Sequence, residues 1–119
     1  MLRIRSYLAR LQLNSGVRST IRMVDVLDVF AIMDRALGAR GYVLEEEHYA
    51  PESFGHRSRL YRRDPKTALS LQWEARDYWF ILQGGVPWRD LAIYRDVRTS
   101  TDSPDAIVRT LLSDLDATI

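Results

Sequence analysis

Along residues 67–75 the chain alternates without a break, with Leu69, Leu71, Trp73 and Ala75 on one side and Ser70, Gln72 and Glu74 on the other. A period of two is that of a β-strand with one buried face. Residues 78–83 follow after Arg76 and Asp77. With those two as a tight hairpin loop, Ala75 opposes Tyr78, Trp73 opposes Phe80 and Leu71 opposes Leu82. That pairing makes one continuous apolar face, on which helices should pack. The reverse face then carries Ser70, Gln72 and Glu74 beside Trp79 and Ile81. The strand 78–83 is apolar on both sides, so it belongs inside a sheet and its reverse face also needs partial cover.

Period and punctuation change elsewhere. Across residues 26–40, Val26, Phe30, Met33 and Leu37 recur at helical spacing, with Asp25 as the expected N-cap and Gly41 where a left-handed C′ residue belongs. Ser103 followed by Pro104 and Asp105 opens a second helix, on which Val108, Leu111, Leu112 and Leu115 align. Strands are expected over 42–49, 57–63 and 90–97, separated by "APESFG", the "DPK" turn and "GGVPW". The resulting class is α+β, an α-β-β-β-β-β-α chain. An antiparallel sheet of about five strands is flanked by an N-terminal and a C-terminal helix packed on one face. Residues 23–119 form its single domain, and residues 1–22 a short basic extension.

The stretch "HRSRLYRRDPKT" sets Arg57, Arg59, Arg62, Arg63 and Lys66 within residues 56–67. A four-residue turn over 64–67 would oppose Arg57 to Glu74, Arg59 to Gln72 and Tyr61 to Ser70, all on the reverse face. On the other flank Glu45 and Glu47 can lie beside Arg59 and Arg57. Cross-strand pairs of opposite charge then occupy the guanidinium donors that a phosphate would need. The same reverse face gathers Tyr61, Trp79, Ile81 and Tyr94 beside Arg57 and Arg59, with Trp88 in the following loop. Trp, Tyr and Arg together are the residues that dominate protein-binding hot spots. Aromatics interleaved with Arg also suit single-stranded nucleic acid.

Charge adds an asymmetry. The net charge is +1, yet residues 1–22 hold Arg3, Arg5, Arg10, Arg18 and Arg22 and no acid. Those five leave 12 of the 17 basic residues to face all 16 acids in the rest of the chain. A basic head on a mildly acidic body suits an anionic partner, or a head that docks on the body. Ile4, Tyr7, Leu8 and Leu11 share a helical face, "LRIR" alternates like a strand, and an Arg- and Ser-rich head also looks like a targeting presequence. No stretch reaches the apolar length of a membrane span. The chain contains no Cys, which excludes disulfides, thiolate nucleophiles and zinc–thiolate sites. A cytoplasmic location is expected.

Recognisable chemistry is sparse. His48 and His56 are the only histidines, and with Glu46 they offer three donors at a spacing too generic to define a metal site. Ser53 and Ser58 sit in no nucleophile elbow, and Gly84-Gly85 lacks the pattern of a phosphate loop. The acids of 45–47, beside arginines, fit ionised structural carboxylates. No catalytic residue, metal or cofactor is therefore expected.

The leading functional expectation is a non-catalytic protein-binding module, a homodimer or the receiver of a protein partner, using the aromatic and arginine sheet face. Small bacterial immunity proteins and secretion chaperones use a similar element order, a likeness of architecture alone. The alternatives are a nucleic-acid binder using the same face and the basic head, and a small-ligand protein or enzyme with a pocket between helices and sheet.

Overall fold

Helix α1 (Met23–Gly38) ends where its backbone runs into Gly41. Gly41 takes a φ of +89°, while the Gly41 and Tyr42 amides donate to the carbonyls of Gly38 and Leu37 at 3.1 and 2.9 Å. This is the Schellman closure that a left-handed glycine permits, and buried Tyr42 and Leu37 supply its apolar contact. The computed structural model describes residues 23–85 and 87–117. The helix begins three residues before Val26, so Asp25 lies in its first turn rather than at the cap. The expectations for residues 1–22 fall outside the described residues.

The chain then lays down β1 (Val43–Ala50), β2 (His56–Asp64), β3 (Thr67–Glu74), β4 (Trp79–Gly84) and β5 (Arg89–Tyr94), and closes with α2 (Pro104–Ala117). The five strands form one antiparallel sheet in chain order, with β1 and β5 at the edges. Short connections between successive strands dictate that order. The expected α-β-β-β-β-β-α architecture is the observed one. The Ser103 hydroxyl caps α2 by accepting from the Ala106 amide at 3.2 Å.

Both helices cover the same face. Val26, Val29, Phe30, Met33 and Leu37 of α1 and Ile107, Val108, Leu111 and Leu112 of α2 are buried with Leu69, Leu71, Trp73, Phe80 and Leu82. The β3–β4 register is the expected one, with Trp73 opposite Phe80, Leu71 opposite Leu82 and Glu74 opposite Trp79, but the loop spans four residues, 75–78, rather than Arg76 and Asp77 alone.

The β2–β3 register is not. Asp64 opposes Thr67, but Arg62 opposes Ala68, so Arg63 is an extra residue bulged out of the ladder. Tyr61 therefore faces Leu69, Arg59 faces Leu71 and Arg57 faces Trp73. A slip of one residue transfers every side chain of a strand to the opposite face. Arg57, Arg59 and Tyr61 thus lie on the helix-covered face, not on the reverse face expected of them. Tyr94, opposite Phe80, belongs to the helix side as well. The fifth strand ends three residues short of Val97, because Asp96 takes a left-handed φ of 57° and turns the chain into the 3-10 turn Val97–Thr99.

Candidate functional site: the two faces of the sheet

On the helix side the relocated residues meet a carboxylate from α1. Asp34 accepts from the Tyr61 hydroxyl through Oδ1 and from Arg59 Nη1 through Oδ2, each at 2.5 Å. Arg59 also donates through Nε to Glu47 Oε2 at 2.9 Å, and Arg57 Nη1 reaches the same oxygen at 3.1 Å. The Arg57 guanidinium lies 4.3 Å over the Tyr49 ring, and that of Arg59 lies 5.3 Å from the centre of Phe30. Arg62 pairs with Glu45, the residue at the β1 bulge. Apart from Lys66, each cation of the basic run has a carboxylate of this chain beside it, Arg63 only loosely, 3.9 Å from Asp64. Of the expected pairs, Arg57 with Glu47 is present, on the face opposite to the expected one; Glu47 also takes Arg59, and Glu45 pairs with Arg62 instead.

These contacts set the titration of two groups. The hydrogen bond from Arg59 holds the Glu47 carboxyl below its ordinary value, against an opposing cost of burial. Burial, followed by the hydrogen bond to Asp34, pushes the Tyr61 hydroxyl well above the ordinary phenol range. The depressed carboxyl contributes stability that is present above the ordinary Glu value and is lost as pH falls below it. The raised phenol contributes stability that is present below about pH 10 and is lost as pH rises beyond it. Urea melts across pH should therefore show stability falling on both flanks. In Glu47→Gln the acid-side loss should shrink, and in Tyr61→Phe the alkaline loss should shrink. Unchanged flanks in both variants would remove this account.

Among the described residues, neither helix covers the reverse face, hereafter the open face. Cross-strand pairing places Leu60, Ser70, Gln72, Trp79, Ile81 and Ile93 on it, with Glu46, His48, His56 and Glu74 around them. Leu60, Trp79, Ile81 and Ile93 are each part-exposed. Trp79 receives partial cover from Arg95, whose guanidinium lies 4.7 Å over its ring. A polar ladder crosses the same face: Gln72 Nε2 donates to Gln83 Oε1 at 2.7 Å, and Gln83 Nε2 to Asp90 Oδ1 at 2.9 Å.

Of the residues singled out from sequence, Trp79 and Ile81 are together on this face. Trp88 is exposed in the β4–β5 turn, at the opposite end of β4 from Trp79. Tyr61 is 1 % exposed in the core. Tyr94 packs against the core and its hydroxyl engages Ser100 and Asp102, so it has left the proposed cluster. Leu60 and Ile93 were missed. The alternation of "HRSRLYRR" would have shown Leu60 once Tyr61 was given to the core, and Ile93 follows from its pairing with Ile81.

His48 and His56 share the open face but are diagonal, opposite Ser58 and Ala50 respectively. His56 Nδ1 lies 3.6 Å from Glu74 Oε2. Among the described residues no three His, Asp or Glu side chains are grouped as metal ligands, and no helix is long and apolar enough to cross a membrane. The chain matches no protein-family model, no curated protein and no solved structure.

Proposed function

We propose that this chain is a non-catalytic protein-binding module that works as a homodimer in the cytoplasm and receives a protein partner on the open face of its sheet. The observation that supports this reading is that, among the described residues, cover lies on one side of the sheet. Both helices lie on one face, while β4 presents Trp79 and Ile81 to the other beside Leu60 and Ile93. An apolar, Trp-bearing patch with a polar rim is the composition of a protein-binding hot spot.

The same geometry weakens the nucleic-acid alternative. Arg57 and Arg59, which it relied on, are turned away from the open face and held by Glu47 and Asp34. Around the apolar patch, Glu46, Glu74 and Asp90 accompany Arg62, Arg95 and the two histidines. A face of mixed charge provides little of the counterion release that drives phosphate binding.

Affinity capture from the source cells tests the reading, using the wild-type chain and the double variant Trp79→Ala/Ile81→Ser. The wild type should retain a defined protein in fixed stoichiometry, and the variant, folded by circular dichroism, should lose it. Oligonucleotides at low salt should bind neither. Equal capture by both forms, or oligonucleotide binding that falls steeply with salt, would overturn the proposal.

A further inference from the structure

The outer edge of β5 forms a shallow groove lined by Asp90, Leu91, Ala92, Ile93, Arg95 and, from α2, Asp114. Among the described residues no strand pairs with this edge, so its outward N–H and C=O groups are a template for another strand. The distribution of side chains on β5 says which strand fits. Asp90 and Arg95 are five residues apart, and in a regular strand they would point to opposite faces. Here Leu82 opposes Ala92 while Gln83 opposes Asp90, so Leu91 is an extra residue. It packs over Gly84, where a Cβ would stand 2.8 Å from Leu91 Cδ1. The bulge brings Asp90 and Arg95 to the same open face, Asp90 on the Gln83 amide and Arg95 on the Trp79 ring. Among the described residues Arg95 has no carboxylate partner.

We propose that β5 pairs antiparallel with β5 of a second copy of this chain about a two-fold axis through Ile93. With the bulge kept in both copies, every position meets one that points to the same face. Asp90 faces Arg95 of the partner subunit, and Arg95 faces Asp90 of the partner subunit. The bulged pair Leu91 and Ala92 faces Tyr94 of the partner subunit on the helix side. Ile93 meets its own copy on the open face. The edge is thus self-complementary in charge and in facing, as an isologous contact requires. The opposite edge is not, because β1 carries Glu45, Glu46 and Glu47 in succession and a copy of itself would set acid against acid. Pairing at β5 joins two five-stranded sheets into a single ten-stranded one and sets the two open apolar patches side by side. The inference rests on the proposed function only for the statement that the protein is a dimer; the contact runs along the outer edge of β5, which borders the partner-binding face and shares Ile93, Asp90 and Arg95 with it.

Sedimentation equilibrium on the full chain tests it by charge exchange. The wild type should sediment as a dimer that weakens with added salt. Asp90→Arg and Arg95→Asp should each weaken dimerisation by about tenfold or more, because each sets like charges opposite one another twice. The double exchange Asp90→Arg/Arg95→Asp should restore it. Oxidation offers a second readout, since the chain has no cysteine of its own. Ile93→Cys should cross-link to a covalent dimer, while Arg76→Cys in the exposed β3–β4 loop should not. A monomeric wild type, single exchanges that dimerise normally, a double exchange that is not restored, or Ile93→Cys that stays monomeric would each overturn the proposal. The partner-binding variant Trp79→Ala/Ile81→Ser keeps Asp90, Ile93 and Arg95. It should lose the partner yet still dimerise, which separates a fault in the proposed function from a fault in this interface.

Discussion

Trp73→Ala is expected to destabilise the protein by about 3–5 kcal/mol, the usual cost of deleting a large buried aromatic side chain. Trp73 is 3 % exposed on the covered face. Its ring lies 4.7 Å from that of Phe80 and meets Tyr78 edge-on at 5.8 Å. Truncation leaves a cavity in the core that neighbouring β-strand side chains cannot close without moving backbone. Trp79→Ala, one strand across but on the open face, removes a part-exposed ring and one cation–π contact, and should cost about 1 kcal/mol. Urea denaturation of the two variants gives the comparison directly. Equal losses would mean that the open face is packed as tightly as the core, and the binding-surface reading would fall with that result.

Asp34→Ala carries the second large effect, about 2–3 kcal/mol, because it strands two donors at once. The Tyr61 hydroxyl is buried and loses its acceptor. Arg59 keeps Glu47 but loses the partner on its α1 side, with a side chain only 16 % exposed. Asp34→Asn should cost about 1 kcal/mol less than the alanine variant, since an amide oxygen still accepts one hydrogen bond. A double-mutant cycle with Tyr61→Phe locates the loss. In the Asp34→Ala background, removing the hydroxyl should cost nothing and should recover stability by deleting an unsatisfied group. Simple additivity in that cycle would show that the two side chains do not act as a pair in solution.

The same network bears on function. A run of basic residues is easily taken as a phosphate-binding surface, yet here the acids of β1 and α1 turn most of it into an internal tie between helix and sheet. Arg57 and Arg59 hold β1 and α1 to β2 through Glu47 and Asp34. The surface left for a partner is the mixed, partly apolar face behind them.

Where the sequence alone was decisive, a local rule had no competitor. Unbroken alternation over β3 and a tight turn centred on Arg76 and Asp77 determined the β3–β4 register, and with it which face Trp73 and Trp79 take. Helical spacing and Gly41 determined α1 and its end, and Ser103-Pro104 determined the start of α2. Short connections between five strands then left one strand order. The tertiary structure decided everything that depends on bulges. Arg63 and Leu91 each add one residue to a strand whose local pattern reads equally well without it. Whether β2 shows Arg57, Arg59 and Tyr61 to the helices or to the open face depends on that single added residue. The choice follows from burying Tyr61 against Leu69 while Arg59 finds Asp34, a carboxylate 25 residues away on another element. On β5 the bulge likewise gathers Asp90 and Arg95 onto one face. Local sequence fixes a period, but its phase is set by which side chains can be buried and paired across the completed sheet.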